Sequence, residues 1–418
     1  MNTFQRYVPA YATLSVAAAL TTPVSALEPL WLTVIAALVT LAAIAEHAGR
    51  REWPRIQPTL AKLLVALVIW GAASIIWSVA PDRSLSQAFE LLLFAAGTAF
   101  LLSTALTLDP RGRHLFGNFL LFGFTLGLLL VFFELTTGGY VHSALNGHYG
   151  PDGTELTRAM NLFELNRASS VISLMLWIAI IPAWRRAGWV GACALIIVSL
   201  FAISKLQPGA PVLAVTAGAA TFALAWFVPR FVAFFLMGTI VFGFVMIPAL
   251  PTLQPILTNI IHGLGLSEFS LHHRMAIWQF ASEYAIARPL TGWGLDASRL
   301  VGVGQMVTVN DAPNIGFRNV DVLPLHPHNA TLQAWLELGV IGALIISGLF
   351  TAATITIRRN VEGRLERAAS YATLAAALIN AGLSFGVWQG WWISTLALVA
   401  VMLTALVYTR QPDAAVLA

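Results

Sequence analysis

Residues Leu325–Ala343 read LHPHNATLQAWLELGVIGA, and the fold of the whole chain is read outward from them. They set His328 and Asn329 at the mouth of a long apolar segment, directly after the longest polar interval in the sequence. Gly339 and Gly342 follow at helical spacing, so a neighbouring helix can approach this one closely. An imidazole at the surface end of a packed membrane helix is suited to proton chemistry. The plainer role for the same residue is to cap the helix, and this stretch alone leaves both open.

The composition decides the class. The chain is 58% hydrophobic and 10% charged, with a mean hydropathy of +0.78. Soluble domains carry about 25% charged residues, so a soluble globule is excluded and a polytopic membrane protein is implied. Apolar runs near the roughly 20 residues that cross a bilayer as helix recur from end to end. The reading is a single all-α membrane domain over 1–418. It has about twelve transmembrane helices, near 8–26, 29–46, 60–79, 87–107, 115–136, 167–184, 188–204, 210–227, 231–250, 329–357, 368–386 and 391–409. The first resembles a signal peptide ending at Val24-Ser25-Ala26, and an uncleaved span is the favoured reading. The lone cysteine, Cys193, rules out an internal disulfide.

Arginine and lysine asymmetry orients the spans. With the N-terminus inside, fifteen of the 23 basic residues fall on the inner side, and every inner loop is basic. Both termini are therefore expected in the cytoplasm. The net charge of +4 says little about nucleic acid, because the basic residues must first be sorted by membrane side, and no nucleic-acid partner is expected. Two outer loops stand out: 137–166, which ends in Asn166-Arg167 and contains Arg158, and 251–328, long enough for a helical periplasmic cap. In the second, 267–288 reads as an amphipathic helix with Ser267 as cap and Arg288-Pro289 as stop.

Arg158, Arg167, Arg274, His326 and His328 thus fall on one outer side. Guanidinium groups at head-group level suit an anionic ligand, a phosphate or pyrophosphate on a lipid, because the fork binds phosphate oxygens bidentately and stays charged. For any one arginine the plainer role is a head-group anchor or surface ion pair. His272-His273 and His326-Pro327-His328 resemble fragments of zinc sites but lack further ligands at known spacing. No HExxH, DxD, P-loop or GxSxG is present, so neither metal nor cofactor is expected.

These residues resemble the O-antigen ligases, within the group that also holds O-antigen polymerases and protein O-oligosaccharyltransferases. The family pattern of His, then Asn, Ser or Gln, nine residues, and Gly-x-x-Gly with a small residue is matched by His328, Asn329, Gly339, Gly342 and Ala343. Arg274, Trp278, Pro289-Leu290 and Gly292-Trp293-Gly294 are similar to the family's run before that His. Asn166-Arg167 is similar to its Asn-Arg step after the earlier outer loop.

The resemblance implies transfer of an assembled glycan from undecaprenyl pyrophosphate to lipid A-core, on the periplasmic face of the inner membrane and among membrane lipids, without metal. It implies His328, Arg274 and Arg167 as catalytic groups, with Arg158, Asn329, His326 and Asn166 binding substrate. His328 would be either the base for the acceptor hydroxyl or a hydrogen-bonding group. His326, forced extended by Pro327, would be supporting. Glu337, inside the apolar segment, is expected to pair with an arginine or a backbone amide, and Trp388, Trp391 and Trp392 to form an interfacial belt. The competing readings are an O-antigen polymerase, a protein-directed transferase, or a transporter of lipid-linked glycans. Against the transporter stands the clustering of polar residues on one outer face.

Overall fold

The computed structural model describes residues 10–146, 165–206, 209–263, 269–311 and 316–408. Arg158 lies outside the described residues, as does most of the 137–166 loop. Helices dominate: α1 Ala10–Leu27, α2 Trp31–Arg50, α3 Pro58–Ala73, α4 Pro81–Leu106, α5 Pro110–Thr137 and the short α6 Tyr140–Asn146 precede α7 Asn166–Lys205. Then come α8 Gly209–Phe227, α9 Pro229–Val245, α10 Leu250–Gly263, α11 Phe269–Ala287, a hairpin of β1 Met306–Asp311 and β2 Gly316–Asp321, and finally α12 Ala330–Asn360, α13 Arg364–Leu383 and α14 Gly390–Val407.

The starts are chemically marked. Proline, whose missing N–H costs nothing in the first turn, opens α3, α4, α5 and α9. Asp109 Oδ1 accepts from Gly112 N at 2.7 Å at the head of α5, and Gly138 ends that helix at φ +76°. Among the described residues eight helices are long and apolar enough to cross a membrane, or nine if the pair Pro229–Val245 and Ile247–Ile260, bent by 47°, is one span.

The predicted segments 167–184 and 188–204 are the two helices of α7, separated by a break at Ala187 and Gly188, where Gly188 takes φ +60°. Its first half is buried on every side from Ala168 to Ala183, as expected of a helix that is apolar all round and packed at the centre of a bundle. α13 lies against it with opposite direction: Asn380 Nδ2 donates to Ser173 Oγ at 2.9 Å, while Arg185 pairs with Glu366 at 2.7 Å near the other end of both. α1 and α5 touch backbone to backbone, since a Cβ on Gly123 would sit 2.4 Å from the Ala19 carbonyl oxygen.

The cap between α9 and α12 is helical where the sequence predicted it, and α11 buries Met275, Ile277, Phe280, Ala281 and Ala285. The all-α architecture holds, and among the described residues the one addition to it is an antiparallel hairpin in the cap, in register from Met306↔Asp321 to Asp311↔Gly316. The run of alternating β-branched residues at Val307, Thr308 and Val309 suits a pleated, half-buried strand better than a helix. The tryptophans after α13 are corrected. Trp388, Trp391 and Trp392 are 5%, 4% and 1% exposed, so they are core residues and not an interfacial belt. The α13–α14 loop turns inward against the head of α12 and brings them with it.

Candidate functional site

The site is built on a break in α12. Gly339 stands at φ +64° and interrupts the helix, and this interruption releases the carbonyls of the preceding turn from their usual partners four residues on. Each is taken up elsewhere. Trp293 N donates to Leu336 O and Gly294 N to Glu337 O, both at 2.9 Å, while Trp70 Nε1 donates to Leu338 O at 2.9 Å. Val340 N, deprived of Leu336 O, donates instead to Pro289 O at 2.8 Å. The chain Pro289–Gly294 is thereby stitched alongside the broken helix. Both glycines of the contact are required: a Cβ on Gly339 would lie 2.4 Å from the Leu290 carbonyl, and one on Gly292 would lie 2.4 Å from that of Glu337.

About three turns earlier, Asn329 caps α12, its Oδ1 accepting from Leu332 N at 3.0 Å. Asn329, not the histidine before it, therefore fills the capping role. His328 sits just outside the helix at φ +53°, in the left-handed region that non-glycine residues seldom enter. Such strain persists only where the surroundings impose it. Here Trp278 Nε1 of α11 donates to Pro327 O at 2.9 Å, and His328 N donates to His326 Nδ1 at 3.2 Å. The two imidazoles lie 4.3 Å apart, centroid to centroid.

His328 Nδ1 lies 2.7 Å from the carbonyl oxygen of Ser384, in the α13–α14 loop. A carbonyl can only accept, so Nδ1 carries the proton, and the neutral ring keeps its lone pair on Nε2. Burial lowers the His328 pKa below its ordinary 6.5, the Ser384 carbonyl raises it in part, and the charges of Arg274 and His273 lower it again. Burial first, then His328, Arg299 and Arg274, push His326 down to about 3. His326 is thus neutral at ordinary pH, as its Nδ1 acceptor role demands.

Arg274 projects from α11 toward this pair. It is half-buried, its pKa is lowered by desolvation, and it makes no ion pair or hydrogen bond with the described residues. A guanidinium removed from water without an anion is an open position for one. Arg167 is reached differently, through the antiparallel packing of α7 and α13. From the Ser173–Asn380 contact, Arg167 lies six residues back along α7 and Ser384 four residues on along α13. At about 1.5 Å per residue both rise roughly 6–9 Å toward the same end of the bundle. Asn166 opens α7, and its Oδ1 is buried without a partner among the described residues. Of the zinc-like fragments, His273 Nε2 bonds to the Asp321 carbonyl at 3.1 Å in the hairpin.

Sequence reasoning missed the Ser384 carbonyl, which has no side-chain signature, and Gln389, which lies 3.3 Å from His326 Nε2. It also missed Asp296, at φ +54°, which receives Arg83 at 2.6 Å and Arg299 at 3.4 Å. Glu337 is fully buried. Of the two partners expected for it, the structure supplies backbone amides, Asp296 N at 2.7 Å and Ser298 N at 3.4 Å, and no arginine.

Comparison with known proteins bears on the same residues. Residues 171–347 match the model of a family described as O-Antigen ligase. That span includes Arg274, His326, His328 and the break at Gly339, and begins just after Arg167. A protein of Rickettsia prowazekii (strain Madrid E), named as a proposed polysaccharide ligase, is 29% identical over 306 residues, covering 71% of this chain and 68% of its own length. A similarly named protein of Rickettsia felis is 26% identical over 346 residues, covering 82% and 79%. One from Rickettsia bellii is 28% identical over 355 residues, covering 82% and 79%.

Proposed function

We propose that this chain, which resembles the O-antigen ligases over 171–347 and the polysaccharide ligase relatives over most of its length, is an O-antigen ligase-type protein that transfers an assembled glycan from undecaprenyl pyrophosphate to lipid A-core. The reaction takes place on the periplasmic face of the bacterial inner membrane, in a bundle of about twelve spans with both termini cytoplasmic. The observation that carries the reading is the pairing of His328, whose Nε2 is left as an acceptor by the Ser384 bond, with a half-buried Arg274 that has no anion beside it among the described residues.

Transfer needs a base for the acceptor hydroxyl and a stabiliser for the leaving group. As the acceptor oxygen attacks the anomeric carbon, its proton passes to His328 Nε2, and the bond from that carbon to the pyrophosphate oxygen breaks. The electron pair leaves with the pyrophosphate, and attack from the opposite face inverts the anomeric centre. Arg274 and Arg167 receive the developing negative charge, each contributing on the order of 3 kcal/mol to the transition state. Arg158 is proposed to assist from the outer loop. Asn166 and His326 are proposed to hold the substrates in place, with Asn329 fixing the turn that presents His328. No metal is required.

The test is glycan transfer from undecaprenyl pyrophosphate to purified lipid A-core by the detergent-solubilised protein in excess chelator, wild type beside His328→Ala. Product from the wild type alone supports a metal-independent ligase with His328 at its centre. Product only with a lipid-linked glycan as acceptor makes it a polymerase, and product only with a protein acceptor makes it a protein-directed transferase. Lipid movement without transfer makes it a transporter.

A further inference from the structure

Glu337 is the most completely bonded carboxylate among the described residues, and no step above uses it. Its side chain is fully buried within α12. Five hydrogen bonds converge on its two oxygens. Oε2 accepts from Asp296 N at 2.7 Å and from the indole N–H of Trp388. Oε1 accepts from Ser298 Oγ at 2.6 Å, from Gln333 Nε2 at 2.9 Å and from Ser298 N at 3.4 Å. Every partner but one is a pure donor as placed, so the site calls for the acceptor-only carboxylate and not for a neutral acid. A buried charge is costly unless its lone pairs are satisfied in this way.

The donors come from three separate stretches of chain. Asp296 and Ser298 belong to the turn after Gly294, and Gln333 to the first turns of α12. Trp388 belongs to the α13–α14 loop, and that loop is held twice. Besides the Trp388 bond, Gln333 relays, its Nε2 donating to Glu337 while its Oε1 accepts from Val387 N at 2.9 Å. The same loop carries the Ser384 carbonyl on His328 and Gln389 beside His326. Removing the carboxylate would leave buried N–H groups unpaired in all three stretches and free them to move apart.

We propose that Glu337 is a positioning residue for the transfer reaction: by clamping the α13–α14 loop to α12, it sets the Ser384 carbonyl that keeps His328 in its Nδ1–H tautomer. Glu337 touches no substrate. It acts through Gln333 and Trp388 on the loop, and through the loop on the imidazole. This role rests on the functional reading above only for its kinetic consequence, because the tautomer itself is a property of the resting protein.

The test uses the full chain and three variants. Glu337→Gln keeps the shape but turns an N–H₂ toward groups that are themselves donors. Gln333→Glu combined with Glu337→Gln exchanges amide and carboxylate. The Glu at 333 then accepts from Val387 N and from the new Gln, whose oxygen remains for Asp296 N and Trp388. Trp388→Phe removes one bond and leaves the aromatic core in place. ¹⁵N-histidine NMR, with the His328 signals identified by their loss in His328→Ala, reads the tautomer directly. Wild type should show Nδ1 protonated and Nε2 bare, Glu337→Gln a mixture, and the exchanged pair the wild-type pattern.

In transfer kinetics Glu337→Gln should lose about 100-fold in kcat with KM little changed, as expected for sub-ångström misplacement of a reacting group. The exchanged pair should recover at least part of that, and Trp388→Phe should fall between. A wild-type His328 tautomer retained in Glu337→Gln, or kcat unchanged in it, would overturn the proposal. A folded wild type that transfers no glycan, yet whose tautomer Glu337→Gln disturbs, overturns the ligase reading while sustaining the clamp. If Glu337→Gln proves unstable, Trp388→Phe decides: an undisturbed tautomer with full kcat in that variant overturns the proposal.

Discussion

The Nδ1 nitrogen of His328 lies 2.7 Å from the carbonyl oxygen of Ser384, a residue 56 positions further along the chain. The bond joins the head of α12 to the end of α13 and settles the chemistry of the ring, because a backbone carbonyl cannot donate. The proton must stay on Nδ1, and the opposite edge of the imidazole becomes the acceptor. A histidine oriented by a protein acceptor in this way has the geometry of a general base.

The pH dependence of transfer follows. If His328 acts as the proposed base, its active form is the neutral ring, whose pKa lies below 6.5 through burial and the Arg274 charge, partly offset by Ser384. Activity should therefore be level from neutral pH down to below 6.5 and fall only on further acidification, as the ring gains its proton. A kcat/KM profile with its acidic midpoint at or above 6.5 would contradict this.

Arg274→Lys keeps a positive charge but loses the planar fork. Transfer should fall on the order of tenfold or more, since a bidentate grip on a phosphate group is replaced by a point charge. Arg274→Ala should reduce it further and also move the acidic limb to higher pH, because the cation that helps hold down the His328 pKa is gone. Steady-state kinetics of both variants across pH checks the pair of effects, and wild-type turnover in Arg274→Lys would end the argument for a clamp on phosphate.

Gly339→Ala should destabilise the protein by more than the roughly 1–3 kcal/mol of backbone strain at a positive φ, because the added methyl also meets the Leu290 carbonyl at 2.4 Å. A thermal melt in detergent would register the loss. An unchanged midpoint would mean that the Pro289–Gly294 segment can withdraw from α12 without cost.

His326, held at about 3, links stability to acidity. Its native pKa is below its unfolded value of about 6.5, so the stability it contributes is fully present above 6.5 and is lost progressively as pH falls toward 3. Replacing it by Gln, which has no proton to gain, should flatten the decline in thermal stability over that interval relative to wild type. Parallel melts between neutral pH and 4 test this, and identical slopes would refute it.

The apolar segments were legible because a bilayer demands long, hydrophobic helices, and every segment predicted to span falls on helix. The surface helix was legible from Ser267 as cap and Arg288-Pro289 as stop; Ser267 lies outside the described residues, and the described helix runs Phe269–Ala287. The hairpin went unread. Its strands are six residues each, too short to stand out in a long polar loop, and their pairing depends on contacts across a turn. His328, Arg274 and Arg167 could be named from local motif and side. That Arg274 has no anion beside it among the described residues, and that Trp388 is core and not belt, depends on which elements pack together.

Alone, the sequence determined the membrane character, the helical spans and the residues able to handle a proton and an anion, because hydropathy, side-chain chemistry and short spacings are local properties. Only the tertiary structure decided which way the His328 ring faces, that Gly339 breaks α12 to admit the Pro289–Gly294 segment, and that Glu337 ties three stretches together. Those outcomes rest on backbone carbonyls and amides, which every residue carries alike. A one-dimensional reading cannot tell one from another until packing brings them within hydrogen-bonding distance.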